Sequence, residues 1–265
     1  MEKKSSHFSG QIGFVLAAAG SAVGVGNLWR FPYLAAKDGG GLFLIVYLVL
    51  VLTFGFTLLT SDIAIGRRTK ESAIGAYSKM QERWKFLGIL TFLVPVLIMT
   101  YYAVIGGWIT RYAVVYLSGQ AEAAARDGYF TSFITSPVSP VIFALLFMGV
   151  TALIVYNGVE GGIERVSKCM MPVLLVLVVI IAGYSLTLHH VDADGQVRTG
   201  MEGFLYYIRP DLEGITLRRF LQILLDAMSQ MFFSLSVSMG IMITYGSYVK
   251  PEVDLNRAVN QIEIF

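Results

Sequence analysis

Long apolar runs alternate with short polar segments along this chain. Five runs of 19 to 25 residues contain no Asp, Glu, Lys or Arg: Leu42–Ser61, Phe86–Thr110, Val141–Val159, Cys169–Leu188 and Ala227–Val249. At a rise of about 1.5 Å per residue, each run is long enough as a helix to cross a hydrocarbon core of about 30 Å. The pattern predicts a chain that crosses a membrane several times.

The first apolar stretch, Gly10–Pro32, differs from the other five because it is interrupted. Three glycines and an asparagine fall within Gly20–Asn27, and Arg30 and Pro32 follow. Backbone groups that a break exposes to hydrocarbon cost several kcal/mol each unless protein, water or a ligand satisfies them. The interruption therefore predicts a cavity for a solute at membrane depth.

Composition supports a polytopic membrane protein. Hydrophobic residues make up 55% of the chain and charged residues 14%, and the mean hydropathy is +0.66. The net charge of +2 gives no reason to expect a nucleic-acid partner. Lys3 and Lys4 before the first run also fit a cleaved signal peptide, but five later spans make a retained first helix the simpler interpretation.

With the interrupted first helix, the pattern predicts six spans, at residues 11–36, 41–66, 86–117, 140–158, 167–188 and 217–249. A cytoplasmic N-terminus places twelve Lys and Arg residues on the inner side and six on the outer side. This asymmetry follows the positive-inside rule. The short N-terminal tail and brief loops favour a multi-pass protein of a bacterial inner membrane, surrounded by lipid.

A second interruption lies in the last run, within Gln230–Tyr245. It places hydroxyls and a glycine at mid-membrane, at Ser234, Ser236, Ser238 and Gly240. Interrupted helices in corresponding positions of two halves indicate a transporter binding site. The two breaks therefore predict one site.

A packing seam is the alternative interpretation of the first break, because Gly20 and Gly24 form a small-xxx-small pair. A seam does not require the amide of Asn27 or the guanidinium of Arg30, and ionisable groups within a membrane usually mark functional sites. Free N–H groups at a half-helix N-terminus suit a carboxylate, whereas carbonyls and the Asn27 side chain suit Na⁺. The residues describe an amino acid bound beside Na⁺.

These residues resemble a known family. The run Gly20–Pro32, followed by Gly39–Gly41, is similar to the opening of the neurotransmitter:sodium symporter family, in its bacterial amino-acid transporter branch. Further matches occur in order along the chain, at Tyr101–Tyr102, Gly162–Lys168, Met171–Pro172 and Gln230–Tyr248.

The resemblance implies an all-α membrane fold of two inverted five-helix repeats, with helices 1 and 6 broken around the substrate. This chain would cover the first repeat and helix 6, over residues 1–265. It ends at Phe265, before a seventh hydrophobic span. We therefore expect an incomplete transporter, one that does not transport alone.

The resemblance also implies residue roles. The substrate would be held by Ala22, Val25, Gly26, Ile98, Tyr102, Phe233, Ser234, Ser236 and Met239. A first sodium site would comprise Ala22, Asn27 and Ser234, and a second would include Gly20 and Val23. Tyr102 and Phe233 would form a lid, with Arg30 as the outer gate. Tyr47, Gln230 and Ser234 match chloride-binding positions of chloride-dependent members, and the residue that decides chloride use lies on the seventh helix.

Gly24 indicates the chemical class of the substrate, because family members that carry biogenic amines have an aspartate at this position. Glycine implies a substrate that brings its own carboxylate, and the apolar lining of Ile98, Phe233 and Met239 favours a hydrophobic or aromatic side chain. The expected function is sodium-coupled symport of such an amino acid by alternating access.

The chain also departs from the family pattern. Ser5 and Phe8 replace the usual arginine and tryptophan of the inner gate. Asp62 replaces glutamate, and Ser238 replaces a frequent glycine.

Two other functions remain open at this stage. The chain could be a non-transporting membrane binding or assembly protein that keeps the symporter fold. An enzyme is disfavoured, because no span contains a paired arrangement suited to catalysis.

One pair of polar residues has two interpretations. Asp226 and Gln230 share a helix face, and they belong either to an ion pathway or to a polar patch at the outer end. Arg111 is expected to extend to the lipid headgroups.

Overall fold

The computed structural model describes residues 7–191 and 195–264. Its first five helices are α1 (Gln11–Ala22), α2 (Gly26–Lys37), α3 (Gly41–Thr69), α4 (Ala73–Met80) and α5 (Lys85–Leu117). The next four are α6 (Ala121–Ala124), α7 (Tyr129–Ile134), α8 (Ser139–Tyr156) and α9 (Val159–Leu186). An antiparallel pair follows, β1 (His189–Val191) and β2 (Val197–Thr199), in which His189 is opposite Thr199. The last four helices are α10 (Gly200–Ile208), α11 (Leu217–Ser234), α12 (Ile241–Ser247) and α13 (Leu255–Ile264).

Four helices of the described chain are long and apolar enough to cross a membrane: α3, α8, α9 and the helix that contains α5. The pair α1 and α2, bent by 52° at its break, meets the same test when the two helices are counted together as one broken span. The predicted sixth span, 217–249, forms two shorter helices, α11 and α12, that do not meet the same test. Arg218, Arg219 and Asp226 place three charges in α11, which explains why that helix is not apolar enough.

The buried core runs along α1, α3, α11 and α12. Its largest fully buried side chains include Phe14, Phe43, Leu59, Met231 and Met242. In contrast, α8 and α9 expose most of their apolar side chains. Such surfaces are expected of helices that face lipid or further protein.

Two glycines bring α3 and α12 into backbone contact. A Cβ atom added at Gly66 would lie 3.0 Å from the Ser247 nitrogen, and one added at Gly246 would lie 3.0 Å from the Ile63 Cα atom. Each Cβ atom would also overlap a backbone carbonyl oxygen of the facing helix, which real Cβ atoms do not do. This packing fixes α12, the second half of the broken sixth helix, against α3.

Candidate functional site

The first break separates α1 from α2 at residues 23–25. Val23 is extended, with φ −86° and ψ 108°, and its N–H makes the last bond of α1, to the Ala19 carbonyl at 2.8 Å. The first turn of α2 is π-helical, over Gly26–Arg30. The Val25 N–H donates to the Tyr102 hydroxyl at 3.2 Å. A side chain of α5 therefore accepts a hydrogen bond from one of the backbone N–H groups at the break.

The second break, residues 235–240, is held open by left-handed backbone. Ser236, Ser238 and Gly240 have φ values of 52°, 59° and 72°. This conformation is uncommon for serine and costs about 1 kcal/mol or more unless surrounding contacts stabilise it. The Ser236 hydroxyl donates to the Ser21 carbonyl at 3.1 Å, which joins the second break to the end of α1.

Two of the departures from the family pattern contact each other here. The Ser238 N–H donates to the Asp62 carboxylate at 2.9 Å, and Asp62 is buried in α3. The shorter acid therefore reaches the unwound segment and satisfies one of its N–H groups.

The predicted ion-binding side chains meet around Ser234. The Ser234 hydroxyl donates to Asn27 Oδ1 at 3.3 Å, so these two members of the predicted first sodium site are in contact. Buried Gln230 donates from Nε2 to Ser234 Oγ at 3.0 Å and to the Gly26 carbonyl at 3.2 Å. Two of the three residues at predicted chloride-binding positions, Gln230 and Ser234, are therefore in direct contact, and the third, Tyr47, packs against the hydrophobic core.

The predicted second sodium site lies at the end of α1. A Cβ atom at Gly20 would be 3.3 Å from both Met171 Sδ and Ser167 Oγ, so Gly20 packs against α9. Val23 is the residue at which α1 ends. The described contacts bring α9 close to Gly20, and the roles of Gly20 and Val23 in binding sodium stay predictions.

Two cavities lie beside the breaks and share a wall formed by Tyr102 and Phe233. The inner cavity, of about 240 Å³, is lined by Ser21, Ala22, Gly24, Pro95, Ile98, Met99, Tyr102, Phe233, Ser236, Met239 and Ile241. The outer cavity, of about 390 Å³, is lined by Val25, Gly26, Trp29, Arg30, Tyr33, Tyr101, Tyr102, Ile105 and Phe233.

The predicted substrate residues divide between these cavities. Four of them line only the inner cavity: Ala22, Ile98, Ser236 and Met239. Val25 and Gly26 line only the outer one. Ser234 is buried in the polar group and lines neither.

The predicted lid residues are close together. The ring centroids of Tyr102 and Phe233 are 6.4 Å apart. A Cβ atom added at Gly26 would overlap the Phe233 ring. The Phe233 side chain therefore occupies the space that this glycine leaves free.

Arg30, the predicted gate, is bound to α11. It donates to Ser229 Oγ at 3.1 Å and to Gln230 Oε1 at 3.4 Å, and it also lines the outer cavity. It thus links the outer half of the first broken helix to the sixth helix.

Asp226 and Gln230 have different partners in the structure. Asp226 forms a salt bridge of 2.9 Å with Lys37, beyond the outer cavity, whereas Gln230 belongs to the buried polar group. Arg219 donates to the Lys37 carbonyl at 2.6 Å and lies 3.5 Å from the buried Asp38 carboxylate. Burial raises the pKa of Asp38 above its ordinary value, against the lowering effect of Lys37 and Arg219.

At the opposite end of α1, the N-terminal segment is fixed in place. Phe8 is buried against the rings of Phe14 and Tyr245, and its N–H donates to the Tyr248 carbonyl at 3.2 Å. Both the N–H and the hydroxyl of Ser9 donate to Glu164, which also pairs with Lys168 at 2.6 Å. Ser5, named for this inner gate, lies outside the described residues, as do Lys3 and Lys4.

Sequence reasoning missed part of the lining and the Glu164 network. Trp29 and Tyr33 follow Val25 at intervals of four residues, and Ile105 follows Tyr101 at the same interval, so helical periodicity from the named positions could have found the outer cavity. Glu164 is the one acid within the matched segment Gly162–Lys168. An acid in an apolar setting was the available signal.

Arg111, expected at the lipid headgroups, also contacts aromatic rings that the sequence did not predict. Its guanidinium carbon lies 5.4 Å from the centre of the Phe143 ring, and two further rings are within 6.0 Å. It is therefore packed among aromatic rings, because α7 and α8 cover this end of α5.

Comparison with known proteins identifies the family. A model of the sodium:neurotransmitter symporter family matches residues 5–124 and 134–262. Over 266 residues the chain is 36% identical to the uncharacterized sodium-dependent transporter YhdH of Bacillus subtilis (strain 168), covering 98% of this chain and 56% of that protein. It is 34% identical to the uncharacterized sodium-dependent transporter MJ1319 of Methanocaldococcus jannaschii, covering 96% of this chain and 51% of that protein.

Among solved structures, MhsT in complex with L-phenylalanine superposes with a TM-score of 0.84 at 37% identity, covering 97% of this chain and 57% of that one. The chain spans about half the length of these relatives. The expected fold, an inverted-repeat symporter with helices 1 and 6 broken, is confirmed. The chain is a helical membrane protein and belongs to the sodium:neurotransmitter symporter family.

Proposed function

We propose that the protein to which this chain belongs carries out sodium-coupled symport of an amino acid, with a hydrophobic or aromatic side chain, by alternating access. The observation that supports this most is the position of the inner cavity. It lies directly beside both helix breaks, with Tyr102 at one side and Ser236 at another. A transport role, rather than an enzymatic one, accounts for a cavity that lies where two helices are interrupted.

The substrate class follows from the lining of the inner cavity. Its side chains are mostly apolar, and a cavity of about 240 Å³ suits a small molecule rather than a peptide. A Cβ atom at Gly24 would lie 2.7 Å from the Tyr102 hydroxyl, so a protein carboxylate at this position would require Tyr102 to move. The substrate would bring its own carboxylate, held near the Val25 N–H and the Tyr102 hydroxyl.

Sodium would bind beside that carboxylate. The contact between Asn27 Oδ1 and the Ser234 hydroxyl supplies two neutral oxygens next to the first break. Together with the Ala22 carbonyl they would surround a small cation whose charge offsets the substrate carboxylate. Gly20 and Val23 would contribute carbonyls to a second sodium ion.

The membrane arrangement is part of the same proposal. In a bacterial inner membrane, a cytoplasmic N-terminus would orient the outer cavity toward the exterior. Arg30 and the wall formed by Tyr102 and Phe233 would then lie between the exterior and the substrate. The asymmetry of Lys and Arg residues supports this orientation.

The test is binding of radiolabelled phenylalanine and leucine to the purified protein in detergent. We expect saturable binding in NaCl that is lost when potassium replaces sodium. A parallel binding series, in which gluconate replaces chloride, tests whether Tyr47, Gln230 and Ser234 bind chloride.

Equal binding in potassium would contradict the sodium-coupled proposal. Absence of amino-acid binding at every sodium concentration would instead favour a non-transporting binding or assembly protein. Asn27→Ala provides a sodium-site variant, for which we expect a higher sodium requirement rather than a loss of folding.

A further inference from the structure

Arg111 occupies an unusual setting at one end of α5. The rings of Tyr129 and Phe133 from α7, and of Phe143 from α8, lie 5.4 to 6.0 Å from its guanidinium carbon. The close approach of α8 depends on Gly107, since a Cβ atom there would be 2.6 Å from the Ala144 nitrogen. The fold thus places the Arg111 guanidinium among three aromatic rings, in a partly buried position.

The charge of Arg111 is not balanced within the described part of the chain. Arg111 forms no ion pair or hydrogen bond with the described residues, and its Nε atom is buried. Aromatic faces stabilise a cation but accept no conventional hydrogen bond. The guanidinium therefore keeps donors that no described residue uses, and these can bind a ligand.

Two more donors lie on the same patch. The Trp108 indole N–H and the Tyr129 hydroxyl are both buried and have no hydrogen-bond partner among the described residues. Trp108 lies three residues before Arg111 on α5, and its ring is 5.2 Å from that of Phe130, the neighbour of Tyr129. Buried polar atoms normally have partners. Unsatisfied donors around one cation indicate a ligand rich in acceptor oxygens.

The surroundings of this patch favour a lipid as the source of that ligand. Leu97, Val104 and Ile109, on the side of Arg111 toward the middle of α5, expose 66%, 40% and 48% of their surface. Trp and Tyr side chains with a polar atom at one end are typical of the membrane interface. A phosphate held there would have its acyl chains along exposed apolar surface.

We propose that Trp108, Arg111 and Tyr129 bind the phosphate of an anionic phospholipid, such as phosphatidylglycerol. Arginine matches phosphate because its planar donors pair with two oxygens at once. A single unbalanced positive charge favours an anionic headgroup over a zwitterionic one. The site is separate from the transport cavities and does not depend on the proposed function.

Native mass spectrometry of the delipidated protein, titrated with phosphatidylglycerol or phosphatidylcholine, tests this site. We expect one phosphatidylglycerol to bind at lower concentration than phosphatidylcholine. Arg111→Gln should raise the concentration for half-occupancy by about tenfold, and Trp108→Phe, which keeps the ring, by about threefold. Arg126→Gln, in the loop between α6 and α7, is the matched control and should leave it unchanged.

Unchanged lipid affinity in both Arg111→Gln and Trp108→Phe would overturn the proposal, as would equal affinity for the two lipids. Displacement of phosphatidylglycerol by millimolar inorganic phosphate would overturn the assignment to a lipid and indicate a site for a free anion. Circular dichroism of each variant confirms that it is folded, and Trp108→Phe remains informative if Arg111→Gln does not fold.

Discussion

At the scale of single residues, two small groups decide the shape of the site. Gly26 leaves space for the Phe233 ring, and the Tyr102 hydroxyl accepts from the Val25 N–H. Neither contact involves a charge. Their effect is to hold the wall between the two cavities and the first turn of α2 in fixed positions.

Gly26→Ala is expected to weaken amino-acid binding at least tenfold. The added methyl overlaps the Phe233 ring, so the wall must move away from the inner cavity. Equilibrium binding measures the effect. Gly149→Ala is the control, because nothing lies within 4 Å of a Cβ atom there, and equal affinities of the two variants would contradict this role of Gly26.

Tyr102→Phe is expected to reduce amino-acid affinity about tenfold with little change in stability. It removes the acceptor for the Val25 N–H and the hydroxyl that faces the inner cavity, while the ring keeps its contact with Phe233. The same binding assay on Tyr101→Phe is the control, since Tyr101 lines only the outer cavity. A larger loss in the control would refute the assignment.

At the scale of helices, the breaks were predictable and their partners were not. Glycine, serine and Asn27 in apolar runs are local signals, so the sequence indicated where helices 1 and 6 unwind. The bond from Ser238 to Asp62, and that from Arg30 to Ser229, join residues separated by 176 and 199 positions. Such pairs depend on how helices pack, which periodicity does not specify.

Asp62→Ala is expected to destabilise the protein by about 1–3 kcal/mol, because the Ser238 N–H, in a left-handed segment, loses its acceptor, the carboxylate of buried Asp62. The apparent melting temperature by tryptophan fluorescence reports the change. Ser61→Ala, whose hydroxyl bonds only within α3, is the neighbouring control. A melting temperature for Asp62→Ala equal to that of the control would show that Asp62 does not support the break.

At the scale of the whole molecule, polar contacts connect the outer ends of α2 and α11. Lys37 pairs with Asp226, Arg219 donates to the Lys37 carbonyl, and Asp38 is buried between them. The sequence suggested either an ion pathway or a polar patch for Asp226. The salt bridge with Lys37 supports the interpretation of Asp226 as part of a polar patch. The sequence could not predict this salt bridge, because Lys37 and Asp226 are 189 positions apart.

Asp38→Asn is expected to raise the apparent melting temperature by about 2 °C at pH 8 and to have little effect at pH 4. The raised pKa means that the folded state favours protonated Asp38, so the stability from this group is present at low pH and is lost as the pH rises. Asn removes the charge that is costly at high pH. Asp127→Asn, in an exposed loop, is the control, and a pH-independent effect of Asp38→Asn would contradict this sign.

The wall shared by Tyr102 and Phe233 has a consequence for how such a protein can change over evolution. Because these two side chains bound both cavities, a substitution that enlarges the inner cavity by moving the wall takes volume from the outer one. Under the proposed transport function, selectivity for the substrate and access to its site are therefore not independent traits. A homologue that adapts to a bulkier substrate by this route would also lose volume in the outer cavity, unless a second substitution, at Trp29 or Ile105, restores that volume.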